Sequence, residues 1–361
     1  MFQLLNNTKN NQALATLEAQ PLTEDNKNMA TIKDVAKLAG VSKATVSRVL
    51  NGNERVSQIA RDKVKQTMKE LGYKPSALAQ ALATNRSRTI GMVVSDLSGP
   101  FFGPIMKSAE KVIRDAGFQL VVTNGHGQED REREAIEFMT NRPVDALILT
   151  VFALPEEEIV ELHRNGTPIV LLNRRIQGFE DNCIYLDNKQ GGYLATKRML
   201  ELGHDRVAFL AGHFTHPDSL ERLEGYQQAL DEFGIPFRQD LVFDDDYNED
   251  GGRRMCQKLL NLKRDFSAIF CGNDLIAIGA RDVLNQHGKL QSTCMVGFDD
   301  VTFAQYLNPS LSSVFFPVEQ MGERAGHMAL AMAGHKTAAV THVLQPRLIE
   351  RESLMAAQPN D

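Results

Sequence analysis

From residue 90 onward, short runs of apolar residues recur with helix-length gaps between them. That alternation constrains the fold more than any other feature of the chain. The runs fall at 90–94, 119–123, 146–150, 169–172, 184–186, 207–211, 268–271 and 295–298. Each is too short for a core helix and too continuously apolar for a strand with one face in water. The gaps carry amphipathic helical patterning. Strands buried on both faces and separated by helices predict a parallel sheet covered on both sides. About 270 residues of this pattern is large for one sheet, so two lobes are expected. A composition of 42% hydrophobic and 24% charged residues can supply such cores and argues against a mostly disordered chain.

The first 90 residues read differently. Residues 1–28 are rich in Asn, Gln, Thr and Glu without periodicity and are predicted to be disordered. They lack the basic segment and apolar core of a secretory signal. From Thr31 the pattern is helical and punctuated. Ile32, Val35, Ala36 and Ala39 share one face, and Gly40 stops the helix. Ser42 can cap a second helix through Leu50, and Asn51-Gly52-Asn53 is a turn. Ser57 can cap a third helix that ends at Gly72. Three short helices with a tight turn between the first two predict a helix-turn-helix unit over 29–74. Residues 75–83 are helix-prone but shorter than the about 12–15 residues that an isolated helix needs in water. They are expected to order only when held, within a linker spanning 75–89.

Charge separates the two parts. Residues 29–90 hold twelve Lys/Arg against four Asp/Glu, a net +8. Residues 91–361 hold 26 basic and 39 acidic residues, a net −13. A basic head on an acidic body implies a polyanion partner for the head alone. The second helix of such a unit enters the major groove, with its N-terminal residues at base edges. Here those are Ser42, Lys43, Ala44 and Thr45, with Arg48 one turn on. Lys and Arg can pair with guanine, Ala and Thr methyls can meet thymine, and Ser47 can reach a phosphate. The plain alternative is a small helical bundle with a solvated basic face.

In the body, polar and aromatic residues gather just after the apolar runs: Asp96, Phe101, Phe102, Asn173, Arg174, Asp187, Asn273 and Asp299. Arg222 and Tyr247 lie at or near helix starts. Ligands of open α/β sheets bind beyond the carboxyl ends of strands. The inventory suits a sugar: carboxylates and amides for hydroxyls, a guanidinium fork, and aromatic faces. The alternatives are helix caps at Asp187 and Asp299, a surface charge at Arg222 and strand ends at Asn173 and Arg174.

The segment TIKDVAKLAGVSKATVSRVLNG resembles the N-terminal signature of the lac/gal repressor family of bacterial transcription regulators, and YKPSALAQALATNRSRTIG is similar to its hinge. Matching blocks continue in order from Met29: VVSDLSGPFFG, VLLNRRIQGFEDN, YLDNKQGGYLATKRMLELGHDRVAFLAG, ERLEGYQQAL, CGNDLIAIGA and VGFDD. Within that family the chain resembles galactose and β-glucoside regulators. Residues 1–28 fall outside the resemblance. The stretch between His287 and Met295 is shorter than is usual in the family.

The resemblance implies a periplasmic-binding-protein-like body with lobes at about 90–188 plus 317–345 and 189–316 plus 346–361. It implies base reading by Lys43, Ala44 and Arg48, and a minor-groove wedge at Leu82. The expected DNA contacts are Thr31, Ser42, Lys43, Ala44, Thr45, Ser47, Arg48, Asn51, Ala79 and Leu82. It implies effector hydroxyls held by Asp187, Arg222, Asn273 and Asp299, with Tyr247 stacking and Phe101 or Phe102 opposite. A cytoplasmic homodimer on a near-palindromic operator follows, since two-fold protein matches two-fold DNA. The tail has no Leu heptads, which argues against a coiled-coil tetramer. A sugar inducer that melts the 76–83 segment and so releases the operator is the expected mechanism. A corepressor stays open, as does the choice among galactose, a galactoside and a β-glucoside.

Other classes fit poorly. No G-x-S-x-G motif is present, so an enzyme is not expected. Gly125-His126-Gly127 has Asp130 where a dinucleotide fingerprint needs glycine. His213 and His216 show no third metal ligand in sequence. The Asp246–Gly251 stretch imitates a calcium loop but has Gln257 at its twelfth position. No metal or cofactor is expected. No apolar run reaches the about 18 residues of a membrane helix. Cys183, Cys256, Cys271 and Cys294 lack any CxxC spacing and are expected to be free, buried thiols.

Overall fold

The computed structural model describes residues 30–50, 55–74, 87–262, 265–337 and 340–357. The expectations for residues 1–28, for Asn51 and for the 76–83 hinge with Ala79 and Leu82 lie outside these. The chain divides into two compact units, 1–79 and 80–361.

The head contains α1 (Ile32–Ala39), α2 (Lys43–Leu50) and α3 (Gln58–Glu70). Thr31 and Asp34 form a reciprocal capping box at the start of α1, and Gly40 ends it at φ 63°, the left-handed region that a side chain disfavours. Val35, Ala36, Ala39, Val46, Val49 and Val64 close a small core. Ser42 and Ser57 cap α2 and α3 as expected, each side chain accepting from the amide three residues on.

The body holds two six-stranded sheets. The first contains β1 (Thr89–Val94), β2 (Gln119–Asn124), β3 (Ala146–Leu149), β4 (Ile169–Leu172), β5 (Cys183–Leu186) and β11 (Val343–Leu344), in the order β11-β5-β4-β3-β1-β2. Every pairing in it is parallel. The second contains β6 (Val207–Gly212), β7 (Val242–Asp245), β8 (Ala268–Cys271), β9 (Cys294–Asp299), β10 (Ser312–Phe315) and β12 (Arg347–Ile349), in the order β12-β10-β9-β8-β6-β7. Only β10 with β12 is antiparallel. All eight runs singled out in the sequence are strands, shifted at most by one or two residues at their ends. The strands β7, β10, β11 and β12 carry no comparable apolar run. Two are very short, and Ser312 and Ser313 in β10 are buried through hydrogen bonds rather than apolar contact.

Helices cover both faces. In the first lobe these are α4 (Phe102–Asp115), α5 (Glu129–Thr140), α6 (Glu156–Arg164) and α11 (Val318–Met332). In the second they are α7 (Asn188–Glu201), α8 (Pro217–Glu232), α9 (Glu249–Asn261) and α10 (Asp274–Gln286). The chain therefore passes between lobes three times: after β5, after β10 and between β11 and β12. The α7–α8 crossing is closed by glycine. A Cβ on Gly225 would strike the Lys189 carbonyl, and one on Gly192 the Arg222 carbonyl. The short link after His287 is a single tight helical turn, Leu290–Ser292. The four cysteines are free and buried, and burial raises each thiol's pKa.

Candidate functional site

The carboxyl ends of the strands in both sheets point into one cleft. A cavity of about 220 Å³ lies there. The first lobe contributes Ser95, Asp96, Phe101, Phe102, Phe152 and Asn173 to its wall; the second contributes His216, Asp218, Arg222, Tyr247, Asn273 and Asp299. Eight of the ten sequence-expected residues thus meet at one place, although they span more than 200 positions.

Arg222 is the centre of the polar wall. Its guanidinium donates to Asn188 Oδ1 at 3.0 Å and to the Gly272 carbonyl at 2.5 Å, and pairs with Asp218 at 3.3 Å. It lies 3.8 Å over the Phe298 ring, which suits a planar cation. Tyr247 donates to Asp218 at 3.1 Å and packs against Gly212, where any Cβ would strike its ring. Burial pushes the Tyr247 hydroxyl pKa up, so it stays a neutral donor. Asn273 caps α10 through its oxygen and gives its amide to the Tyr247 carbonyl. Asp299 does not cap a helix. It ends β9 at φ 99°, followed by Asp300 at φ 54°. Two consecutive non-glycine residues in this region are costly and mark a constrained turn. Two hydrogen bonds and an ion pair hold that turn: Ser313 accepts the Asp300 amide, Asp274 accepts the Val301 amide, and Arg351 pairs with Asp300 at 2.7 Å. Burial holds the Asp299 carboxyl well above the usual carboxylate range, against the pull of Arg222.

Among the described residues, two buried acceptors on the cavity wall have no hydrogen-bond partner: Asn173 Oδ1 and Asp218 Oδ1. Such atoms are expensive to leave unpaired, so they call for donors from a ligand or water.

Two expected residues do not border the cavity. Asp187 caps α7, accepting the Gln190 amide at 2.9 Å. Arg174 turns to the backbone of the loop after β3, donating to the Leu154 carbonyl at 2.8 Å. Sequence reading placed both at strand ends correctly but could not give side-chain direction. It missed Phe152 and Asp218, and noted His216 only as a metal candidate. Phe152 carries the same signal as the others, a position just past a strand, whereas His216 and Asp218 stand at the start of α8. His213 and His216 do not form a metal-ligand pair in the structure; His213 lies instead beside Asp245 and Asp246, with atoms of the three within 4.8 Å of one another. Arg254 already bonds both aspartates. The calcium-like segment is a strand-to-helix loop, with Asn248 capping α9.

On the head, Ser42, Lys43, Ala44 and Arg48 are exposed along the start and outer face of α2, with Thr45 and Ser47 half-buried beside them. Thr31 is committed to its capping box, its hydroxyl donating to Asp34 at 2.6 Å. That bond helps hold the Asp34 carboxyl below its usual pKa.

A helix-turn-helix head with a two-lobed, periplasmic-binding-protein-like body defines a DNA-binding transcription regulator with a sugar-binding domain. Residues 31–76 match the family model described as bacterial regulatory proteins, lacI family. Residues 87–346 match that of periplasmic binding proteins and sugar binding domain of LacI family. The chain belongs to the LacI family. It is 40% identical over 329 residues to the HTH-type transcriptional regulator GalR of Escherichia coli (strain K12), covering 90% of this chain and 96% of that one. It is 34% identical to the regulator AscG of the same organism, over 91% and 99% of the two chains. Among solved structures it is similar to the Lac repressor dimer bound to operator and the anti-inducer ONPF (TM-score 0.79, 25% identity, 91% and 99% covered). It is also similar to the regulator CelR in complex with cellobiose (TM-score 0.67, 32% identity, 90% and 99% covered). Among the described residues no helix is long and apolar enough to cross a membrane.

Proposed function

We propose that this protein is a cytoplasmic, non-enzymatic repressor that binds a near-palindromic operator as a homodimer and is released by a neutral sugar. The observation that carries the ligand class is the pair of unpartnered acceptors, Asn173 Oδ1 and Asp218 Oδ1, in a wall flanked by Phe101, Phe102 and Tyr247. Hydroxyls supply the donors these atoms lack, and an aromatic face covers the apolar side of a pyranose. A sugar phosphate or sugar acid suits the cavity poorly. Asp96 and Asp218 face it, and its cation, Arg222, is already paired with Asp218. Galactose, a galactoside and a β-glucoside all meet this description. The homodimer reading draws on the similar Lac repressor, which was solved as a dimer on operator. Base reading is assigned to Lys43, Ala44 and Arg48, exposed on α2.

The test is selection of bound sequences from random duplex DNA, repeated with a panel of neutral sugars. A selected palindrome whose binding one sugar weakens supports the proposal. Binding that a sugar strengthens replaces inducer with corepressor. Selection without any sugar effect removes the ligand assignment.

A further inference from the structure

The loop after β3 is held from both sides by buried ionic side chains. Glu132, on α5, is wholly buried. Its carboxylate accepts three successive backbone amides, Phe152 and Ala153 at 3.0 Å and Leu154 at 2.8 Å. Arg174, 7% exposed, donates to the carbonyls of Val151, Phe152 and Leu154. Gly125 makes room for this arrangement: a Cβ there would come within 2.8 Å of Glu132 Cγ. Gly125, the first glycine of the incomplete nucleotide fingerprint, therefore has a steric reason to be glycine. Burying two such polar side chains is costly unless each is hydrogen-bonded, and a surface loop ordinarily gives its backbone groups to water. So firm a hold needs a reason beyond the loop itself.

The loop delivers one side chain to the opposite lobe. Phe152 stacks on His216, ring centroids 5.3 Å apart and planes 7° from parallel. His216 immediately precedes α8 of the second lobe, and both rings border the cavity. Burial lowers the His216 pKa, so the stacked ring is neutral at neutral pH. We propose that Phe152 and His216 form a latch that holds the two lobes together over the ligand, and that Glu132 and Arg174 are positioning residues that set Phe152 for it. The ligand half of this proposal rests on the sugar-binding reading above; the clamp and the inter-lobe contact do not. A stacked aromatic pair of this kind shifts an equilibrium about two- to tenfold.

The experiment uses the full chain and two readouts: hydrogen exchange without ligand, and titration with D-galactose. In Glu132→Gln, exchange at the amides of 152–154 accelerates while that of β3 is unchanged. In Phe152→Ala those amides stay protected, but exchange rises across the cleft at Ser219 and Leu220, in the first turn of α8. Galactose affinity falls about two- to tenfold in Phe152→Ala and in His216→Ala, no further in the double variant, and stays near wild type in Phe152→Tyr. Glu132→Gln adds nothing to the loss in Phe152→Ala. Unchanged exchange at 152–154 in Glu132→Gln overturns the clamp. Unchanged exchange at 219–220 in Phe152→Ala, additive losses, or a Phe152→Tyr as weak as Phe152→Ala overturns the latch. If neither galactose nor any other neutral sugar binds the wild type, the sugar reading fails while the exchange results still decide clamp and inter-lobe contact.

Discussion

Arg222 offers the sharpest test of how the site is built. The substitution Arg222→Met keeps most of the side-chain volume and removes every donor. Asp218, 7% exposed, then loses its cation, and Asn188 Oδ1 and the Gly272 carbonyl lose their N–H groups. Breaking a buried ion pair from one side costs about 3–5 kcal/mol, because the remaining charge stays behind. Water in the adjoining cavity can recover part of this by solvating Asp218, which puts the expected loss near 3 kcal/mol. In a cooperative unit of this size that corresponds to about 5 °C in Tm. Urea unfolding of the wild type, Arg222→Met, Asp218→Asn and the double variant gives the cycle. The double variant should be more stable than the sum of the two single losses, since the stranded charge is gone. Sugar binding should be lost in both variants that lack Arg222. A single-variant loss under about 1 kcal/mol, or strict additivity in the cycle, would refute the view that Arg222 chiefly compensates the buried carboxylate.

Other expectations follow from the same geometry. Burial raises the Asp274 carboxyl to about 7 from 3.8, so between those values the folded state holds a proton that the unfolded state has released. Its contribution is therefore full below about pH 4 and declines as pH rises to 7, by about 4 kcal/mol at most. Asp274→Asn should flatten stability between pH 4.5 and 7.5 in urea melts; a slope equal to wild type would show that other groups set it. Gly212→Ala should displace the Tyr247 ring and weaken sugar binding at least tenfold, with the operator affinity of the ligand-free protein unchanged, measured by calorimetry and DNA titration. Arg48→Ala should cost about 1–3 kcal/mol on the selected operator and relax its sequence preference. An equal loss on random DNA would reassign Arg48 to phosphate contact.

Much of this architecture was legible because its causes are local. A buried parallel strand must be continuously apolar, and the eight runs that met this rule are all strands. Ser42 and Ser57 sit where a helix start needs an acceptor, and Gly40 where a left-handed backbone excludes a side chain. What escaped had no local signature. The strand β10 is buried on serines bonded to Asp274, Ser353 and Arg351, which a hydropathy pattern cannot register. Asp299 has the sequence of a strand-to-helix cap, yet its left-handed backbone and the bonds around Asp300 and Val301 direct it otherwise.

The sequence by itself determined that a basic three-helix head precedes an acidic body of covered parallel strands, and that polar and aromatic residues cluster just past the strand ends. Tertiary structure alone decided which of them share a cavity. Asp187 and Arg174 obey the same positional rule as Asn173 and Asn273, but one caps a helix and the other braces a loop. The physical reason is that position along a strand sets where a side chain starts, whereas its direction and partners depend on backbone groups brought close by packing across two sheets. Glu132 and Phe152 make the same point: twenty residues apart in the chain, they are joined by hydrogen bonds that exist only once α5 lies over β1 and β2.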